Sequence, residues 1–217
     1  MPRILLATLV SMIALTAQAA VQQQTVVFGP SVADLTNTTL TVAPFNTILG
    51  QLTSVGLTLA ASWNVSGTVT NTAAQADTFR ISANTDVKLT STPGTGIAGL
   101  TVSLGSAQDF TGLAPGATGL YGPNVLNGAK SGAGTPLSAF TAGPITFAAS
   151  TISTFIITGA GGNTSAMLAT TAGGALTVFY TYDPFRSGQQ LASIPEPETL
   201  ALLGVGLLGV GVLRRRM

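Results

Sequence analysis

The chain has no histidine and no cysteine. The first absence excludes a Ser-His-Asp triad and every His-based zinc site. The second excludes thiol nucleophiles, cysteine-held metals, disulfides and a lipid-modified cysteine anchor. Charge is also scarce. Asp, Glu, Lys and Arg make up 7% of the 217 residues, against about a quarter in an ordinary soluble domain. The place of charge is taken by Thr, Ser, Asn, Gly and Ala, a composition common in exported β-proteins. Both glutamates, Glu196 and Glu198, lie near the C-terminus. A glycosidase would therefore have to use two of five aspartates. No Asp-x-Asp-x-Asp-Gly loop for calcium and no Gly-rich phosphate loop is present. These absences predict a non-catalytic protein with no metal and no cofactor.

The overall charge of +1 hides its distribution. Arg3, Arg214, Arg215 and Arg216 belong to the ends. Between Ala20 and Ile194 stand Arg80, Lys88, Lys130 and Arg186, opposed by Asp34, Asp77, Asp86, Asp109 and Asp183, one net negative charge. A near-neutral domain has no basic field for a phosphate backbone, so nucleic acid is not an expected partner.

What is present begins at the ends. Residues 1–19 hold a basic start at Arg3, an apolar run from Ile4 to Leu15, and Ala17-Gln18-Ala19, the small-x-small pattern that a signal peptidase cuts after. The sequence thus predicts a signal peptide over 1–19, with a signal helix, Ala17 and Ala19 as the small residues of the cleavage site, and the cut after Ala19. The other end reads IPEPETLALLGVGLLGVGVLRRRM. Leu200 to Leu213 carries no polar side chain, and as a helix spans about 21 Å at ~1.5 Å per residue. That is a minimal transmembrane helix. Arg214, Arg215 and Arg216 stop it and keep the C-terminus cytoplasmic. Pro195, Glu196 and Pro197 lie just outside, where two prolines keep the backbone extended and remove two donors, as a protease groove requires.

Between the ends the pattern is that of strands. From Val55 to Val69 the odd positions are Val55, Leu57, Leu59, Ala61, Trp63, Val65, Gly67 and Val69, while the even ones are small or polar. From Phe79 to Leu89 the odd positions are Phe79, Ile81, Ala83, Thr85, Val87 and Leu89. Period two over such lengths predicts long strands with one buried face. The turn-like Asn71–Ala76 predicts an antiparallel hairpin between them. Further strands are expected over Thr25–Phe28, Leu40–Val42, Leu100–Leu104, Ile145–Ala149, Ile152–Thr158 and Leu176–Tyr182. Residues 93–136 hold eleven glycines and four prolines and read as loop, with one edge strand around Val102. The fold class is therefore all-β: a single antiparallel β-sandwich over 20–185, with a linker over 186–194 and a sorting tail over 195–217. Trp63, on the apolar face, is expected in the core. Arg80, Asp86 and Lys88, on the even face, are expected as solvated surface that discourages edge pairing.

Two resemblances add to this. Pro195-Glu196-Pro197, the short Gly/Leu span and the arginine cluster together resemble the PEP-CTERM sorting signal of Gram-negative bacteria. That resemblance implies recognition at the Pro-Glu-Pro motif and removal of the tail by exosortase, a membrane cysteine protease. It also implies a transient stay in the inner membrane and delivery to the cell surface or extracellular matrix, often beside exopolysaccharide. Phe45, Gly50, Leu52 and Val55 within LTVAPFNTILGQLTSVGLTL, and the closing LTVFYTYDP, are similar to choice-of-anchor E domains, a family with no established activity. The partners so implied are signal peptidase, exosortase, and exopolysaccharide or other matrix proteins in biofilm. The leading expectation is a structural or adhesive protein. One alternative is a carbohydrate-binding module, for which Tyr121 and Phe110 are the aromatics expected at the surface. The other is a secreted hydrolase using aspartates.

Overall fold

The computed structural model describes residues 19–185 except 33, 93–94 and 161–162. The chain divides into two compact units, Met1–Asp183 and Pro184–Met217. The signal helix and the transmembrane helix expected at the two ends lie outside the described residues.

Over its described residues the first unit is almost wholly strand. Its elements are β1 (Ala20–Val32), β2 (Thr38–Val42), β3 (Gly50–Asn71), β4 (Asp77–Ser91), β5 (Leu100–Leu113), β6 (Thr118–Ala133), the single-turn α1 (Ala139–Ala142), β7 (Ile145–Thr158) and β8 (Thr164–Pro184). One sheet has the order β1-β8-β3-β6 and the other β2-β7-β4-β5. The registers that fix these sheets run antiparallel. Successive strands therefore change sheet at every connection except β4 to β5. That order is an eight-stranded jelly roll, the double-sheet solution built from two Greek keys.

Two sequence expectations change here. The long strands β3 and β4 exist, and the odd positions over Val55–Val69 and Phe79–Leu89 are buried as their alternation requires, Gly67 only in part. They do not form a hairpin: β3 pairs with β6, β4 pairs with β5 and β7, and the turn at 72–76 carries the chain from one sheet to the other. Alternation states which face of a strand is buried, not which strand lies beside it. The second change is larger. Most of the Gly-rich segment is ordered strand, supplying β5 and β6. Its glycines leave room for opposing side chains. A Cβ at Gly128 would stand 2.9 Å from Leu104 Cδ2 and from Val102 Cγ1, one at Gly132 2.8 Å from Leu100 Cδ2, and one at Gly119 2.6 Å from Phe110 Cε1. The large residues of β5 fill the space that β6 leaves empty. Glycine was read as a loop signal where it is a packing partner.

The core lies between the sheets. Leu57, Leu59, Trp63 and Val65 of β3 meet Ile81, Val87 and Leu89 of β4, with Leu176, Val178 and Tyr180 of β8 and Phe147 of β7. Each such side chain contributes roughly 1.5–3 kcal/mol on burial. One end is closed by aromatics. Phe45 lies 5.8 Å from Tyr180 and 5.1 Å from Tyr182, and Phe140 of α1 lies 6.2 Å from Tyr180. The Phe45 N–H donates to the Phe140 carbonyl at 2.7 Å, tying α1 to the β2–β3 connection.

Candidate functional site

The residues expected to carry sorting lie mostly beyond the described part. Ala19 is described, exposed and immediately before β1. Ala17, Pro195, Glu196, Pro197, Arg214, Arg215 and Arg216 lie outside the described residues. Within the β domain, the chemistry-bearing side chains fall in three places.

The first is the outer face of the second sheet. Arg80, Asp86 and Lys88 project there from β4. Arg80 reaches Asp109 of β5 at 3.7 Å, with both side chains more than half exposed. The Ser103 hydroxyl donates to Asp86 Oδ1 at 2.6 Å. Exposed pairs of this kind contribute little. β4 is an interior strand, so its charges guard no edge, contrary to the expectation. The residue that occupies an edge is Asp109, on β5. Lys130 does so on the other sheet: it stands opposite buried Leu59, in the inward phase of edge strand β6, and is exposed. An inward-phase charge on an edge strand discourages pairing with a further strand.

The second is the flank where β5 meets β6. Gln108 spans it, donating from Nε2 to the Leu120 carbonyl at 2.8 Å and accepting the Gly122 N–H at 3.1 Å. The Tyr121 hydroxyl donates to the Ser106 carbonyl at 3.0 Å. Tyr121 is 1% exposed and Phe110 8%, Phe110 being stacked on Phe79 at 5.3 Å. Neither is the surface aromatic that a carbohydrate-binding module was expected to offer. Both point into the sandwich because their strands, read as loop in the sequence, have an inner face. At the end of this flank the fully buried Asn71 donates from Nδ2 to the carbonyls of Gln75 and Leu113, at 2.8 and 2.7 Å, and accepts the Ala73 N–H at 2.9 Å.

The third is the opposite flank, between β7 and β8. β1 pairs with β8 only as far as Thr171, and β2 pairs with β7 only over Ile145–Ala149. Past those points the two inner strands run on without a partner strand on that side among the described residues. A short segment crosses the gap. Thr151 Oγ1 accepts the N–H groups of Asp34 and Leu35 at 3.0 and 2.9 Å, the Thr151 N–H donates to the Leu35 carbonyl at 2.9 Å, and Asp34 Oδ1 accepts the Ser153 N–H at 2.8 Å. Asp34 holds φ at +76°, a left-handed conformation that Asp tolerates better than most residues. Beyond this strap lies a cavity of about 160 Å³, lined by Asp34, Trp63, Ala83, Ser153, Thr154, Phe155, Leu168 and Thr170. Phe155 faces inward, opposite Ala83, yet is 54% exposed, because none of the described residues covers it. Trp63 is core, as its alternation predicts, at 1% exposure, but its Nε1 has no hydrogen-bond partner among the described residues.

The sequence hinted at this flank without marking it. Thr85 breaks the apolar odd face of β4, and in the fold it meets Ser153. The Ser153 Oγ–Thr85 Oγ1 distance is 3.1 Å, and Thr85 Oγ1 donates to the Ile152 carbonyl at 3.2 Å. Among the described residues no three of His, Cys, Asp or Glu gather as a metal site would need. Nor is any described helix long and apolar enough to cross a membrane.

These features describe an all-β jelly-roll domain, and the tail places the protein further. Residues 193–216 match the PEP-CTERM protein-sorting motif. The matched span holds Pro195-Glu196-Pro197, the apolar run and the arginine cluster. It is the signal of exported proteins that are anchored in a membrane and then cleaved by an exosortase. The match is confined to the tail and leaves the β domain unassigned. No curated protein matches the sequence. Among solved structures, the infectious bursal disease virus Gx strain is similar at 13% identity and a TM-score of 0.26, over 78% of this chain and 37% of that one. Mud crab tombus-like virus is similar at 9% identity and a TM-score of 0.20, over 89% and 94% of the two chains. The infectious bursal disease virus VP2 subviral particle is similar at 14% and 0.21, over 85% and 42%. This chain thus spans little more than a third of the first of them. At such scores the fold assignment rests on strand order alone.

Proposed function

We propose that this is a non-catalytic protein of the cell surface or extracellular matrix of a Gram-negative bacterium, structural or adhesive in biofilm. On this reading signal peptidase removes residues 1–19. The apolar run Leu200–Leu213 then holds the protein in the inner membrane, and exosortase frees it at Pro195-Glu196-Pro197. The observation that carries the reading is the sorting motif over 193–216, in which a recognition element, a short span and a basic stop follow one another at the chain end. The scarcity of charge and the lack of histidine and cysteine support a non-catalytic role. The similarity of Phe45, Gly50, Leu52 and Val55 to choice-of-anchor E domains supports a surface module presented by an exchangeable anchor.

Intact mass spectrometry of surface and medium fractions tests it. The expected species begins near Ala20 and ends near the Pro-Glu-Pro motif. Full-length protein still carrying Arg216, found only in the membrane fraction, would mean a permanent anchor instead. A reporter fused after Met217 that proved to lie outside the cell would overturn the topology.

A further inference from the structure

We propose that the free edge of β7 pairs with the same edge of a second copy of the chain, antiparallel about a two-fold axis at Ile156, joining the second sheets of the two copies over Thr154–Thr158. The proposal rests on the fold of the β domain and not on the sorting tail. The Thr151 N–H donates to the Leu35 carbonyl and the Ser153 N–H to Asp34 Oδ1, so the odd residues of this stretch turn their backbone groups away from β4. The Ile152 carbonyl accepts from Thr85 of β4 and so points the other way, as an even residue should. β7 pairs with β4 without a register shift from Phe147 to Thr158, and the alternation therefore continues. Phe155 and Ile157 present their N–H and C=O groups to the open side, where no described strand takes them. Water serves such a row in a lone copy. The partner that matches its alternating donors and acceptors is another strand.

The ends of the free stretch select the partner and the register. The strap holds the edge up to Ser153, and β7 ends at Thr158, before Gly159 at φ +88°. An antiparallel copy of the same stretch fits this interval in one register. Phe155 then faces Ile157 of the second copy, Ile157 faces its Phe155, and each of these pairs exchanges two hydrogen bonds. Ile156 meets Ile156 of the second copy between them. A centre at Phe155 would need the Ser153 N–H, which Asp34 holds, and a centre at Ile157 would need Gly159, beyond the strand. The side chains agree with this choice. Phe155 and Ile156 are 54% and 57% exposed, and Thr151–Thr158 carries no charge to repel a copy of itself. The other edges are blunted. β5 carries Asp109, β6 carries Lys130, β2 runs only from Thr38 to Val42, and β1 has Pro30 at a break in its register. A pairing this short falls below the ~1,200 Å² of a standard interface. It is therefore a weak, concentration-dependent contact, suited to copies crowded together.

The chain has no cysteine, so a single introduced one reports alone. Ile156→Cys sits on the axis, in a pair whose Cα atoms stand about 4.5 Å apart, within the ~4.4–6.8 Å that a disulfide spans. Under mild oxidation the full chain in detergent should form a covalent dimer at least about tenfold faster than Val125→Cys, an exposed position on β6, because pairing raises the local concentration. Thr154 faces Thr158 of the second copy. Adding Thr154→Glu and Thr158→Glu to Ile156→Cys should therefore lower its rate to that of Val125→Cys, since like charges then stand opposite their own kind or a bare partner. Thr154→Lys with Thr158→Lys should do the same. Mixing the glutamate and lysine chains should restore the rate, which neither misfolding nor association through the tail can do. The proposal is overturned if Ile156→Cys crosslinks no faster than Val125→Cys, in which case the edge takes a strand of another protein or none. It is overturned equally if the added charges leave the rate unchanged, or if the mixture is no faster than either chain alone. The masses of the processed protein stay as expected in all these cases, so the export reading and the pairing fail separately.

Discussion

The two long flanks of the jelly roll are closed by opposite means. Between β5 and β6 the gap is filled: Gln108 and Tyr121 bridge it with hydrogen bonds, and glycines on β6 admit the side chains of β5. Between β7 and β8 the gap is only strapped, by backbone around Asp34 and by the hydroxyl of Thr151. The first flank has its inner polar groups paired and its volume occupied. The second keeps a cavity and an orphaned indole N–H. Substitution should therefore be costly on one flank and mild on the other.

The largest effect is expected at Asn71. Asn71→Leu keeps the volume but strips partners from the carbonyls of Gln75 and Leu113 and from the Ala73 N–H, at a part-buried position. At about 1–3 kcal/mol for each orphaned group, the loss should reach about 3 kcal/mol or more, read as a fall in the urea midpoint with m unchanged. A loss below about 1 kcal/mol would mean that water replaces the amide and that this end of the filled flank is not sealed. Gly128→Val comes next. Its added methyls meet Leu104 and Val102, and overpacking of this kind costs about 1–3 kcal/mol. A neutral result would show that β6 is free to move away from β5, which would make the two flanks alike.

These two positions also show how far the sequence could be read. The alternation of β3 and β4 revealed the buried faces, and the assignment of Trp63 to the core followed from it. The sheet to which each strand belongs was not legible, because period two carries no information about neighbours. Gly128 and Gly132 were misread because the absence of a side chain looks the same in a turn as opposite a leucine. Thr85 was visible as an exception on an apolar face, but its meaning depended on Ser153, some seventy residues away. The sorting motif was legible in full because its parts are contiguous. A cavity lined by Asp34, Trp63, Ser153 and Thr170 has no such continuity.

Tyr180 tests the closed part of the β1–β2 side. Its hydroxyl donates to the Ala43 carbonyl at 2.7 Å, and burial pushes its pKa up to about 12. The fold favours the neutral phenol, so this contribution is complete below pH 10, the ordinary tyrosine value, and is lost as pH rises through about 12. Tyr180→Phe should cost about 1 kcal/mol at pH 7 and remove that part of the alkaline decline. The check is urea unfolding across the alkaline range. An unchanged slope in the variant would assign the decline to other groups and leave the aromatic end without a role in it.

The smallest effect is expected at the residue that looks most important. Trp63→Phe deletes more atoms than Tyr180→Phe, and in a sealed core that would cost more. Here two terms oppose each other. The smaller ring leaves unfilled volume, at roughly 24 cal/mol per Å³ of residual cavity, but that volume adjoins a cavity already present. The substitution also removes a buried donor that has no partner, a relief of about 1–3 kcal/mol. The sum should lie within about 1 kcal/mol of zero, smaller than the loss for Tyr180→Phe despite the larger deletion. Thermal and urea unfolding of the two variants side by side decide it. If Trp63→Phe proves the costlier by more than about 1 kcal/mol, the indole N–H is already paired in the free protein. The strapped flank is then as satisfied as the filled one, and the contrast between them reduces to geometry.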